Sequence, residues 1–500
     1  MSWSAAWIPM ILIPVVVARC LYDMIRYRGR FNRTFWAAII TELLHCLASY
    51  CMLAYLIVYL AQDLGFGDIR AGFLVGIMWF MGYFLPILIG AMADRYGFRE
   101  TMVVSLAIIT AGYFLASRVT SYPAMFAALM IIALGGAVMK PVIAGTVKAA
   151  SADKDRTLGF SIYYMVINVG SFIAPFLANF VRIQTGHPAL IFIACGVVEA
   201  VALAVTIWMF KNIPVAEEAQ AKALIRVLND MVVVLGNLRL MITAAGLVLL
   251  VMGGQRLGLE GDSLWVAALF WVALNAIWDL YGPMLASQWG VRRDHPLFDR
   301  QRIGDGKLLA FIVIFSGVWA LYSQIWTNIP LFITRIDPAM KAHIEYFQAV
   351  DPIMIVFFQV LVGKAMSRYR PLPSMVVGIL IASVAVASVG PFGHFLGAWA
   401  VGLSLVIWAV GEMMFSPRMV EYVSVIAPKD KLALYIGYGF LPFAIGFGVG
   451  PATGAHLVHF FENAGRPDWV WYGLGLWSLL VAGALMVYDK VVNRSNRVVT

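Results

Sequence analysis

Charge is scarce in this chain: Asp, Glu, Lys and Arg make up 13% of its 500 residues. A soluble domain carries about 25%, so there is too little charge here to clothe a water-facing surface of this size. Cysteine is scarce too. The four, Cys20, Cys46, Cys51 and Cys195, stand singly or in apolar runs with no Cys-x-x-Cys, which excludes a disulfide framework and a zinc site. His-Glu-x-x-His, Gly-x-Ser-x-Gly and clustered histidines are missing, which argues against a membrane-embedded enzyme. His456 and His459 form an isolated pair without a third ligand, so neither a metal nor a cofactor is expected.

What is present is apolar: 62% of residues are hydrophobic and the mean hydropathy is +0.84. A helix crosses the hydrocarbon core with roughly 20 apolar residues, at about 1.5 Å of rise each. Runs of that size occur at 35–61, 71–92, 101–118, 122–148, 158–182, 189–210, 231–253, 263–283, 308–334, 346–366, 373–394, 396–418, 432–458 and 469–488. They are too long for barrel strands, and in lipid the backbone must satisfy itself. An all-α, multi-pass protein of the bilayer is predicted. A further apolar run at 3–18 is followed, not preceded, by basic residues, so it does not read as a cleaved signal. It is expected to form an extra N-terminal helix, either spanning or, given Pro9 and Pro14, lying at the interface.

The net charge of +9 needs no nucleic acid. Basic clusters at 26–33, 94–100, 291–302, 367–371 and 490–497 fall on one side when spans are counted, and the positive-inside rule makes that side cytoplasmic. A plasma (inner) membrane location with a cytoplasmic C-terminus follows as an expectation.

GAMADRY (90–96) and GKAMSRY (363–369) occupy equivalent loops of two six-span groups, as in transporters built from repeats. The predicted organisation is an N-terminal helix and basic loop (1–34), a six-helix bundle (35–210), a linker carrying an inserted hairpin (211–307, hairpin 231–283), and a second bundle with a basic tail (308–500). The hairpin reads as a structural insertion. Gly446, Gly450 and Gly454 form a small-residue stripe, read as helix packing.

GAMADRYGFRE resembles the loop signature of the major facilitator superfamily, G-x-x-x-D-R-x-G-x-R/K, with Gly90, Asp94, Arg95, Gly97 and Arg99 as its expected cytoplasmic gate motif. GGAVMKP (135–141), FSIYYMVINVGSFIAP (160–175), WALYSQ (319–324), YFQAVDPIMIV (346–356) and GEMMFSP (411–417) resemble, in order, segments of the proton-dependent oligopeptide transporter family. The resemblance covers about residues 35–490. It implies a major facilitator fold of two six-helix bundles, with peptide-like substrate and protons as partners, working as a monomer. By that likeness the substrate-binding residues are Tyr50, Tyr83, Lys140, Tyr164, Asn168, Ser323, Gln324, Asp351, Glu412 and Ser416, and the proton-coupling residues Glu42, His45 and Glu412.

The likeness breaks in the first span. Where the family has E-x-x-E-R-F, this chain has Glu42-Leu-Leu-His45-Cys46-Leu47, so the second acid and the arginine are gone. The seventh-span acid is Ser323, and the eighth-span asparagine is Asp351. A charge at the centre of a membrane helix costs about 2.5–3.5 kcal/mol on insertion scales, so each needs a partner or a role. Glu42 and Lys140 sit at similar depth and can pair, either as static glue or as a coupling switch. His45, one turn from Glu42, is either a proton-responsive replacement for the lost acid or a neutral hydrogen-bonded residue. Tyr50 and Tyr83 read as site or as packing residues. Asp351 either caps its helix or adds negative charge to the cavity. The i, i+4 spacing lets the Ser416 hydroxyl donate to Glu412 and puts Tyr164 and Asn168 on one face. Arg418 and Glu421 read as a gate or a surface pair.

The expected function is secondary active transport, a proton-coupled symport of small peptides or a related zwitterion by alternating access. The alternatives are the same fold moving an organic cation or an amino-acid conjugate, exchange without proton coupling, and a receptor that does not transport.

Overall fold

The computed structural model describes residues 7–211, 306–426 and 438–498, with isolated positions between 246 and 275; the side chains of 87–95 and of a few shorter stretches lie outside the described residues. The chain divides into two compact units, Met1–Gln220 with Ala310–Thr500, and Ala221–Leu309. The hairpin expected at 231–283 belongs to the second unit and lies outside the described residues apart from isolated helical positions.

The first unit is helical, with no strand among the described residues. Its helices are α1 (Trp7–Arg26), α2 (Arg33–Val58), α3 (Asp68–Tyr96), α4 (Phe98–Ala116), α5 (Tyr122–Ala150), α6 (Arg156–Thr185) and α7 (Leu190–Met209). After the linker come α8 (Gly306–Trp326), α9 (Asn328–Ile336), α10 (Val350–Met366), α11 (Pro371–Leu396), α12 (Val401–Ile426), α13 (Leu441–Asn463) and α14 (Trp469–Val498). Twelve stretches among the described residues are long and apolar enough to cross a membrane, α8 and α9 together forming one of them. They match the twelve apolar runs read from the sequence outside the hairpin. α1 is not among the twelve, and Arg19, Asp23 and Arg26 put charge into its last two turns.

Local chemistry sets the helix ends. The Asn32 side chain accepts from the Phe35 amide at 2.9 Å and opens α2. A wide π turn, Tyr59–Asp63, extends α2 and delivers Asp63 to the end of the bundle. Between α3 and α4, Gly97 has φ +95°, a conformation that a side chain would strain, which explains the glycine of the loop signature. Arg99, the second residue of α4, donates to the Ile207 carbonyl at 3.0 Å and ties α4 to the end of α7 within the first bundle.

In the first half, α2 packs against α6 and α7, α4 against α5 and α7, and α3 against α5. In the second, α11 packs against α12 and α14, and α10 against α12. The halves meet where α3 lies on α13 and α6 on α10. Lipid gives apolar helices no hydrophobic reason to associate, so close backbone approach has to do it. The stripe on α13 supplies that approach. A Cβ at Gly450 would stand 2.7 Å from the Ala320 carbonyl oxygen of α8, and one at Gly72 of α3 would stand 2.9 Å from that of Pro451. α13 is thus held tightly from two sides.

Candidate functional site

Two polar clusters occupy the interior where the halves face each other. The first belongs to the N-terminal half. Glu42 of α2 is 1% exposed; the Cys46 thiol donates to its Oε1 at 3.7 Å, and its Oε2 accepts no hydrogen bond. Lys140 of α5 feels the charge of Glu42 but does not close an ion pair with it. Its Nζ lies 4.2 Å from the centre of the Tyr83 ring, a cation–π contact. Lys140 is open to solvent space although it sits in the middle of α5. Glu42 and Lys140 thus lie within each other's field, while the contact that Lys140 makes is with the ring.

His45 finds its partner on another helix. Its Nδ1 lies 2.7 Å from Oε1 of Glu199 on α7, so its hydrogen-bonded partner is Glu199 and not Glu42 one turn earlier. Glu199 is fully buried, and its second oxygen has no hydrogen-bond partner. It was legible as the single acid in the apolar helix LIFIACGVVEAVALAVTIWM, a residue that needs a role by the same argument as Glu42.

The second cluster belongs to the C-terminal half. Asp351 of α10 and Glu412 of α12 are 3% and 8% exposed and interact strongly with each other. The Tyr322 hydroxyl donates to Asp351 Oδ2 at 3.2 Å; Oδ1 has no partner. Asp351 does not cap its helix, because Ala349 holds the N-cap position. The Trp408 indole donates to Glu412 Oε2 at 3.3 Å. That partner is one turn before Glu412, on the side away from Ser416, so the expected Ser416 bond is not the one made. Among the described residues neither carboxylate has a lysine or arginine partner.

Aromatic side chains from both halves join the two clusters. Tyr50 of α2 lies 5.6 Å from Trp326 of α8 between ring centres. Tyr83 of α3 stacks on Phe443 of α13 at 5.4 Å with the planes 12° apart. Tyr164 of α6 is 46% exposed and is electrostatically close to Glu412 and Asp351. The Asn168 amide donates to the Tyr164 carbonyl at 2.9 Å, which commits one of its hydrogens to its own helix.

Ser323 and Gln324 do not reach this space. Ser323 donates to the Ala320 carbonyl at 2.6 Å, and the Gln324 amide is shared between the Ala320 and Gly450 carbonyls at 2.7 and 3.0 Å. Both are buried against the α13 glycines, so they hold helices together and leave the site. Gly90, Asp94 and Arg95 belong to the stretch whose side chains lie outside the described residues. Arg418 donates from Nη1 to both carboxylate oxygens of Glu421 on its own helix, at 2.7 and 2.9 Å.

Away from the clusters, Arg182 of α6 meets Glu345, just before α10, at 2.5 and 2.9 Å. The Asn179 amide adds a third bond to Glu345 at 2.9 Å, and the Tyr55 ring lies 4.4 Å from the guanidinium. The sequence reading missed this network, since Arg182 and Glu345 lie near span ends where charge is unremarked.

A family model described as "Major Facilitator Superfamily" matches residues 38–441. The dipeptide and tripeptide permease B of Yersinia enterocolitica is 24% identical over 451 residues, which cover 84% of this chain and 85% of that one. The permease of the same name from Salmonella typhimurium is 24% identical over 446 residues, with 84% and 85% covered. The uncharacterized transporter YclF of Bacillus subtilis is 23% identical over 496 residues, 94% of each chain. Among solved structures, a POT family transporter in complex with 5-aminolevulinic acid superposes with a TM-score of 0.69 at 19% identity, covering 92% of this chain and 97% of that one. A POT family transporter in complex with a thioalcohol-conjugated peptide gives 0.68 at 19% identity, covering 92% and 96%. These solved structures share its fold.

Proposed function

The chain belongs to the major facilitator superfamily, and from that premise we propose that it is a secondary active transporter carrying small peptides or a related zwitterion with protons, by alternating access. The observation that supports this reading most is the separation of charge inside the bundle. Among the described residues Lys140, on the first half, closes no ion pair with a carboxylate, and Asp351 and Glu412, on the second, have no basic partner. Buried carboxylates without a counter-ion are costly, and a zwitterion lying between the halves relieves them with its amine while its carboxylate meets the open Lys140. Its carboxylate is placed toward Lys140 and its amine toward the carboxylate pair, with Tyr50, Tyr83 and Tyr164 along its length. The permeases similar in sequence are named for dipeptides and tripeptides, which agrees with a peptide-like cargo.

A transporter satisfied by a bound solute can then rock its halves about α3–α13 and α6–α10. Protons enter through Glu42, His45 and Glu412, three of the titratable groups in the two clusters. The inner membrane, a cytoplasmic C-terminus and action as a monomer belong to the same proposal, as does the division at 211–307. One observation favours a second reading. Asp351 adds a negative charge beside Glu412, which suits a cargo with an extra amine, such as an organic cation or an amino-acid conjugate.

Counterflow in proteoliposomes, run with a panel of dipeptides and amine-bearing solutes with and without an inward proton gradient, tests both readings. Lys140→Ala and Glu412→Gln are each expected to lower uptake by roughly thirtyfold or more, the effect of removing one partner from a desolvated charge contact. Unchanged uptake of an identified cargo in both variants removes this site.

A further inference from the structure

The first span lost the second acid and the arginine that its resemblance implies, and the structure shows what stands nearby. Glu199 reaches His45 from α7, a helix outside the motif altogether. Its carboxylate is fully enclosed, has one hydrogen-bond partner and leaves Oε2 unpartnered. A purely structural acid would be expected to fill both oxygens, because an unmet acceptor in a dry site is penalised. His45, in turn, faces both ways. It bonds Glu199 and feels Glu42 on its own helix and Lys140 on α5.

We infer that Glu199 is the second proton-accepting group of the N-terminal half, and that the His45–Glu199 pair stores the proton exchanged with Glu42. This deepens the transport reading above and rests on it for its role in coupling. One proton shared between an imidazole and a carboxylate leaves the pair neutral whichever atom carries it. The proton can therefore shift along the 2.7 Å contact without burying net charge. When that proton passes to Glu42, the pair becomes anionic while Glu42 becomes neutral, and Lys140 loses the attraction of the Glu42 carboxylate. It is then free for the carboxylate of the cargo.

The groups around this path are few. On α2 they are Glu42 and Cys46; on α5, Lys140; on α6, Tyr163, which adjoins Glu42. On α4 Tyr113 lies within the field of Glu199, as does Cys195 on α7 itself. Tyr83 of α3 meets the path only through Lys140. No second lysine or arginine is paired with Glu199 among the described residues, so the imidazole is its one ionisable hydrogen-bond partner.

Infrared difference spectra of the purified protein, taken between acid and alkaline pH without any cargo, test the proton store directly. A carboxyl band that is present in the native protein and in Glu42→Gln, and missing in Glu199→Gln, is the expected result. Spectra in which Glu199→Gln matches the native protein overturn the inference. In proteoliposomes, Glu199→Gln is expected to lose about tenfold in gradient-driven uptake while counterflow stays within about twofold, as for a lost coupling between two sites. Glu199→Asp, which keeps the acid, is expected to recover most of the driven uptake. If Glu199→Asp is as defective as Glu199→Gln while both melt like the native protein, Glu199 is structural and the inference fails. Should the native protein exchange no peptide at all, the transport reading falls, and the infrared experiment still decides where the proton resides.

Discussion

At one end of the bundle the halves are joined by charges paired with opposite charges; in the middle they face each other with charges that, among the described residues, close no ion pair. Three ion pairs cross between the halves among the described residues, and all three lie at that end. They are Arg182 with Glu345, Lys341 with Asp63 at 2.7 Å and Arg335 with Asp68. A fourth polar contact, Gln62 to Thr334 at 2.8 Å, lies among them. Lys140, Glu42, Asp351 and Glu412 show the opposite arrangement. On the transport reading proposed above, the difference separates two roles in a protein with little charge: charges that satisfy one another suit a closed gate, and charges without a counter-ion suit a site awaiting cargo.

The largest break in this contrast comes from making the gate resemble the site. Glu345→Ala leaves Arg182 enclosed without its carboxylate, and breaking a buried pair from one side costs about 3–5 kcal/mol. The variant is expected to favour opening at that end. A maleimide applied from that side to a Tyr164→Cys reporter should react faster in Glu345→Ala than in the native background. An unchanged labelling rate means that the pair does not hold the end shut.

The converse change moves the site toward neutrality. Asp351→Asn removes the charge beside Glu412 and restores the amide that the resembling family carries there. Cargo with a second amine is expected to bind about tenfold more weakly, roughly 1.4 kcal/mol, while a simple dipeptide changes little. Competition of each solute against a labelled peptide in counterflow measures it. Equal loss for both classes would make Asp351 a structural acid serving Tyr322.

How much of this contrast was legible follows from what sequence patterns can carry. Span number and the glycine stripe depend on runs and periods along one chain, so they were readable: α13 packs through Gly446, Gly450 and Gly454 as the spacing implied. Lys140 and Glu412 were found because a charge in an apolar run needs explaining. Partners are another matter, because they come from other helices. Nothing within TELLHC points to Glu199, 154 positions away, and nothing around Arg182 points to Glu345. Ser323 and Gln324 misled for a similar reason. Their motif resembles a site, but Gly450 on the neighbouring helix lets the backbone come close enough to take their hydrogen bonds.

The smallest effect lies within the gate itself and tests whether its members are equivalent. Lys341 and Asp63 are 35% and 22% exposed at the side chain, whereas Arg182 and Glu345 are 9% and 0%. Water already solvates the first pair, so its Coulomb gain is screened and offset by the entropy of holding two long side chains. Lys341→Ala is expected to shift the gate by about 0.2–1 kcal/mol, and less at high salt. The same maleimide assay should therefore separate Lys341→Ala from Glu345→Ala by a wide margin, with salt narrowing only the Lys341 effect. Equal opening in the two variants would mean that the exposed and buried pairs act as one network, and burial would then no longer rank the contacts that hold this end closed.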